Sequence, residues 1–284
     1  MTTDQHPDDI HDRGLAFDLQ TLMARRRMLG VLGIAGAGTA LAACGFIGPA
    51  GSSEANRTAT AADGTVCLKD PVETNGPFPA DGSNSKNGAT VNALSQSGIM
   101  RADIRPSFAG MTPVADGAQL DLEITLVDVA KACAPLAGHV IYIWHCDAEG
   151  KYSIYDQADR NYLRGAGITD AKGQLKFTTV FPGCYAGRWP HIHFEVFADQ
   201  AKAVNGANSL LISQFAMPAD RASSLYAGNA VYAASVSNLA GISVSKDGVF
   251  SYSTPEQIAA QTPKISGEAA SGLKASVTVG IVGA

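Results

Sequence analysis

Between Phe181 and Phe197 the chain reads FPGCYAGRWPHIHFEVF, which gathers Tyr185, Arg188, His191 and His193 into one short stretch. The run from His191 to Phe197 has the apolar and aromatic character of a strand. Side chains two apart on a strand point to one face, so the two imidazoles project together. Paired imidazoles suit a transition metal, and a phenol oxygen and a guanidinium lie close by in sequence. A His-x-His pair is also compatible with an exposed strand that binds nothing, and Arg188 with a surface ion pair.

A second stretch, Val140 to Asp156, reads VIYIWHCDAEGKYSIYD. Here Tyr152 follows a turn marked by Asp147, Glu149 and Gly150. His139 to Cys146 is a uniformly apolar strand with Tyr142, Trp144 and Cys146 on one face and His145 on the other. His145 is a further ligand candidate, and a hydrogen-bonded core histidine is its alternative. Three patterns occur in order: WHxxxxGxYS from Trp144, LRGxxxTDxxGxxxF from Leu163, and PGxYxxRxxHIHF from Pro182. On these the chain resembles the intradiol ring-cleavage dioxygenases, the catechol and protocatechuate dioxygenase group, and within it an exported bacterial subgroup. The likeness runs from Cys67 to the C-terminus and is specific from Cys133 to Phe197.

The resemblance implies an all-β fold, a β-sandwich of immunoglobulin or prealbumin type with short helices and long loops. It implies an Fe(3+) centre with Tyr152, Tyr185, His191 and His193 as ligands, Tyr185 being the one displaced by substrate. It implies that Arg188 stabilises charge on the ring and that Gln214 abuts it, a strand-edge amide being the alternative for Gln214. The expected reaction cleaves a catechol-type ring between its hydroxyls with O2, giving a muconate-type diacid. The chemistry of the ligands agrees: hard anionic phenolates favour ferric over ferrous iron. A trivalent cation can remove a proton from a phenol whose free pKa is about 10, and zinc rarely takes tyrosine. Family members often carry tyrosine where Phe78 stands, and the short spacing from Tyr185 to His191 implies a differently walled mouth. The substrate stays open among catechol, protocatechuate, hydroxyquinol and larger plant or lignin phenols, with Arg164 and Arg188 as candidate carboxylate partners. Two alternatives stand: an exported non-catalytic β-sandwich lipoprotein that binds a phenol or a protein, and a metallohydrolase using Glu195.

The 284-residue chain is 46% hydrophobic, only 17% charged and carries a net charge of −5. Without a basic run it does not fit a nucleic-acid binder. Arg25, Arg26 and Arg27 precede a Gly/Ala-rich apolar segment, Met28 to Ala43, which has the form of an export signal, here of twin-arginine type. Leu41 to Cys44 has the form of a lipobox, with Cys44 lipidated; an uncleaved anchor is the alternative. The expected organisation is a signal over 1–44, a flexible Gly/Ser/Ala/Thr tether over 45–64 and the β-sandwich over 65–284. The expected location is the periplasm or cell surface, with membrane contact only through the N-terminal lipid or anchor.

Four cysteines remain for an oxidising compartment. If both tyrosines reach one metal, Cys146 and Cys184 are neighbours, so Cys146–Cys184 and Cys67–Cys133 are the expected bridges. Buried free thiols are the alternative. Strands are expected at Gln119 to Val127, Gln174 to Phe181, Leu210 to Phe215, Val249 to Tyr252 and Leu273 to Val282, with an edge strand at Arg101 to Ile104. A short helix is expected from Pro218 to Tyr226.

Overall fold

The computed structural model describes residues 58–283. The expected signal, Cys44 and most of the tether lie outside the described residues. In chain order the strands are β1 (Thr58–Thr60), β2 (Val66–Leu68), β3 (Asp81–Lys86), β4 (Ala89–Asn92), β5 (Gln119–Asp128), β6 (Ala134–Pro135) and β7 (Val140–Trp144). They continue with β8 (Arg164–Ile168), β9 (Gln174–Val180), β10 (His191–Phe197), β11 (Leu211–Ala216), β12 (Lys264–Glu268) and β13 (Gly272–Ile281). Three short helices, α1 (Ala219–Gly228), α2 (Ala233–Ala240) and α3 (Pro255–Gln261), fall between β11 and β12.

Two sheets face each other as a β-sandwich. One is antiparallel in the order β11-β10-β7-β8; the other runs β12-β13-β5-β6, with β9 also on β5. The alternation along β5 turns Leu120, Leu122, Ile124 and Leu126 inward, where they meet Ile141, Ile143, Ile192, Phe194 and Val196 of the opposite sheet. Removing such side chains from water contributes about 1.5–3 kcal/mol each and holds the sheets together. Because β7 and β10 are buried on both faces, their second face is available for a site, and this is where the chemistry-bearing residues lie.

Cross-strand register defines that second face. Trp144 stands opposite Arg164 on one side and His193 on the other, and His193 stands opposite Gln214. Directly paired residues share a face, so Arg164, Trp144, His193 and Gln214 form one row across four strands. Phe78, Ala80 and Leu94 from the chain before β5, with Tyr152 and Tyr155, cover this face as a second apolar cluster.

Several expectations are corrected. Val249 to Tyr252 is not a strand: residues 250–252 form a 3-10 turn, because the Asp247 carboxylate captures the Val249 and Phe250 amides. Arg101 to Ile104 makes a single isolated bridge, Asp103 to Thr178, with another at the preceding Met100. The end of the expected tether is ordered, with β1 paired to β2 beside Cys67. β8, α2 and α3 were not expected; β8 carries two glycines in five residues, which masks its strand pattern.

Candidate active site

β10 places the imidazoles of His191 and His193 side by side, their Nε2 atoms 3.1 Å apart. The Trp189 carbonyl accepts from Nδ1 of His191 at 2.5 Å, which fixes the proton on Nδ1 and leaves the Nε2 lone pair facing the site. His193 is held by stacking on Trp144, with ring centroids 4.8 Å apart and planes within 5°. Its Nδ1 is buried, with no hydrogen-bond partner among the described residues.

Tyr152 arrives from the loop after β7, where its amide donates to Asp156 Oδ2 at 2.6 Å. Its ring packs on Phe78 at 4.8 Å, and its Oη lies 3.3 Å from His191 Nε2. Tyr185 arrives from the loop before β10, with Oη 3.5 Å from the same nitrogen. Tyr152 is buried and Tyr185 half-buried. The two tyrosine loops touch through backbone: the Gly183 amide donates to Asp147 O at 3.0 Å. A β-carbon on Gly183 would stand 2.5 Å from that carbonyl, so only glycine permits the approach.

The electrostatics fit a cation. Burial, and then the Arg188 guanidinium, lowers His191 to about 3. Burial, and then His191, holds His193 well below its ordinary range. Both imidazoles are therefore neutral, as metal ligands must be. Burial, and then the Tyr185 phenol, pushes Tyr152 well above 10, so its ionisation requires a strong positive charge in the site. Ligands bound at about 2 Å around one ion lie about 3 Å from each other, and the other three donor atoms stand 3.1, 3.3 and 3.5 Å from His191 Nε2. Among the described residues no group of three His, Cys, Asp or Glu forms a metal cage; the donors that converge here are two imidazoles and two phenols.

Beside this cluster lies a buried polar chain. Arg188 donates from Nε to Asp247 Oδ2 at 2.9 Å and from a terminal nitrogen to Gln214 Oε1 at 2.6 Å. Asp247 also accepts from the amides of Trp189, Val249 and Phe250. Burial alone would raise the Asp247 carboxyl, but Arg188 and the Trp189 amide hold it below its usual range. Gln214 donates to the Thr74 carbonyl. Gln261 of α3 donates both to the Gln214 carbonyl and to Glu73 Oε1, at 2.9 Å each. Burial pushes Glu73 up to about 8.

The structure thus brings together Tyr152, Tyr185, His191 and His193, with Arg188 and Gln214 adjoining. His145 lies apart, bonded to Cys146 O and Thr179 Oγ1. Arg164 is fully buried and committed to Pro79 O, Tyr142 Oη and both Ser153 oxygens, so it braces the Tyr152 loop and is not available to a substrate carboxylate. Glu195 is buried on β10 between its register partners Tyr142 and Ile212.

Cys67–Cys133 is a disulfide. The expected Cys146–Cys184 bridge is corrected: both are buried thiols. Each sulfur is directed at a carbonyl, Cys146 at Gly183 O and Cys184 at Arg188 O. Burial, and then Asp247, pushes the Cys184 thiol up to about 12, so neither sulfur has thiolate character. Asp247, Glu73 and Gln261 were missed in the sequence. Asp247-Gly248 reads as a turn, and Glu73 and Gln261 belong to none of the three motifs in the sequence.

A family model described as Dioxygenase matches residues 108–222. Chlorocatechol 1,2-dioxygenase of Pseudomonas sp. (strain P51) is 34% identical over 85 residues, covering 23% of this chain and 34% of the relative. The protocatechuate 3,4-dioxygenase beta chain of Burkholderia cepacia is 35% identical over 100 residues, covering 30% of this chain and 40% of the relative. These matches span well under half the length of either relative. The intradiol ring-cleavage dioxygenase structure from Tetranychus urticae superposes with a TM-score of 0.56 at 24% identity, covering 76% of this chain and 95% of that one. That likeness is one of fold, and the matched sequence holds both phenols and both imidazoles of the site. Over residues 108–222, which carry the three linked motifs, the chain is thus similar to the intradiol ring-cleavage dioxygenases.

Proposed function

We propose that this chain cleaves the aromatic ring of a catechol-type diol between its hydroxyl carbons, placing both atoms of O2 in a muconate-type diacid. One observation carries the reading: two phenols and two neutral imidazoles converge on one point beside the buried Arg188–Asp247 pair. Tyr152, Tyr185, His191 and His193 would hold Fe(3+), which when bound supplies the positive charge that lets the phenols ionise and renders a bound diol electron-rich toward O2. The half-buried Tyr185 is the phenol with room to move, and its Oη is placed to take a proton from an incoming diol. Tyr152, packed against Phe78, stays where its loop holds it. The Arg188 guanidinium, locked by Asp247 and Gln214, is a preorganised cation for negative charge developing on the ring, in a site where burial strengthens the effect.

The experiment is to load purified protein with Fe(3+), record its visible spectrum and follow O2 uptake with a panel of catechols. The expected result is a red-brown protein that consumes O2 and diol one to one, with the band weakened or shifted in Tyr152→Phe and Tyr185→Phe. A colourless loaded protein refutes the ferric-phenolate reading, and a coloured one inert to the panel refutes the activity. We further propose that the chain acts outside the cytoplasm, as a lipoprotein; the Cys67–Cys133 disulfide supports an oxidising compartment.

A further inference from the structure

The segment Phe181 to Cys184 delivers Tyr185 to the site, and side chains satisfy most of its backbone polar groups. Tyr232 Oη donates to Phe181 O at 2.7 Å, Tyr226 Oη to Pro182 O at 2.8 Å, and Cys146 Sγ to Gly183 O at 3.5 Å. Asn238 Nδ2 of α2 donates to Cys184 O at 2.8 Å. Ser235, one turn earlier on α2 and fully buried, accepts from the Cys184 amide at 2.8 Å. The same hydroxyl donates to Ala148 O at 3.0 Å. Ala148 lies in the turn that leads to Tyr152, while Cys184 immediately precedes Tyr185.

We propose that Ser235 is a positioning residue that sets the relation of the two phenols. Among the helix side chains that hold the Phe181 to Cys184 segment, its hydroxyl is the one bonded to both tyrosine loops. The loops lie close together here too: a β-carbon on Gly150 would stand 3.1 Å from Tyr185 Cβ and 3.3 Å from Cys184 O. The phenol rings meet edge to face, with centroids 5.8 Å apart. With one loop fixed against the other, a change of a few tenths of an ångström at Ser235 is carried to both phenol oxygens. The helix layer, remote in sequence from the motifs, thereby enters the geometry of the site. The inference rests on the ferric-phenolate reading above.

The test compares iron-loaded wild type, Ser235→Ala and Asn238→Ala by visible spectrum, by loss of iron to a chelator and by thermal melting. Removing a group that orients metal ligands typically weakens binding about 10- to 100-fold. We expect a loss of that size in Ser235→Ala, with a displaced phenolate band. Asn238→Ala, which touches only the Cys184 side, should move the band less. If Ser235→Ala does not fold, Ser235→Cys, which keeps the size and loses the strong hydroxyl bonds, is read in the same way. A lowered melting temperature with unchanged band and iron affinity would overturn the proposal and leave Ser235 a structural residue. A wild-type protein without a band would refute the ferric-phenolate reading instead.

Discussion

Asp247→Asn is nearly isosteric and removes one charge, so it isolates what the Asp247 carboxylate does for Arg188. The pair is desolvated on both sides, with 1% and 0% of the two side chains exposed at an Nε–Oδ2 distance of 2.9 Å. Solvent screening therefore does not dilute the interaction. Breaking such a pair from one side leaves a buried charge unpaired and costs about 3–5 kcal/mol. The hydrogen bonds reinforce this. Oδ2 accepts from Arg188 Nε and the Trp189 amide, and Oδ1 accepts from the Val249 and Phe250 amides. In either orientation an asparagine NH2 would confront one pair of donors. For a domain of this size the melting temperature falls about 2–4 °C per kcal/mol, so a drop of about 6–20 °C is expected. The assay is calorimetry of the iron-free protein from pH 7 downward. Because the folded Asp247 carboxyl lies below its unfolded value, its contribution is present above about pH 4 and is lost as pH falls through the folded value. The gap between wild type and variant should therefore narrow below about pH 4. A drop under about 2 °C at pH 7, or a gap that persists undiminished at pH 3, would refute the claim that Asp247 stabilises the fold by holding Arg188.

Glu73 works in the opposite direction. Its folded value of about 8 stands above the ordinary 4.5, so the folded protein holds the proton and stability falls as pH rises between those values, by up to roughly 5 kcal/mol. Denaturant melts from pH 5 to 8 should show Glu73→Gln gaining on wild type as pH rises, and parallel curves would contradict the assignment. Replacing Arg26 and Arg27 with lysine should leave precursor in the cytoplasm, and Cys44→Ala should abolish lipid labelling without altering iron colour; fractionation showing unimpaired export of the lysine variant would sink the twin-arginine reading.

The likeness of sequence to structure is greatest where local order carries the chemistry. His191 and His193 needed only the two-residue period of a strand to face the same way. Alternation along β5 named its core residues, Leu120 to Leu126, before any partner strand was known. Tyr152 and Tyr185 are singled out only through the resemblance of the three motifs to the intradiol dioxygenases, since no periodicity brings two separate loops together.

Tertiary structure decided what depends on partners distant along the chain. Val249 to Tyr252 has strand composition, yet Asp247 takes its amides and curls it beneath Arg188, a pairing across 59 positions. Cys146 and Cys184 come into the same neighbourhood as expected, but each sulfur finds a carbonyl and remains a thiol. Arg164, a candidate for substrate charge from its motif, is consumed by backbone carbonyls at Pro79 and Ser153. Ser235 and Gln261 belong to helices with no motif at all, and gain meaning only through what they touch. Residue type and periodicity specify which way a side chain points from its own strand. Which buried polar group it must satisfy is set by segments that meet only when the chain has folded.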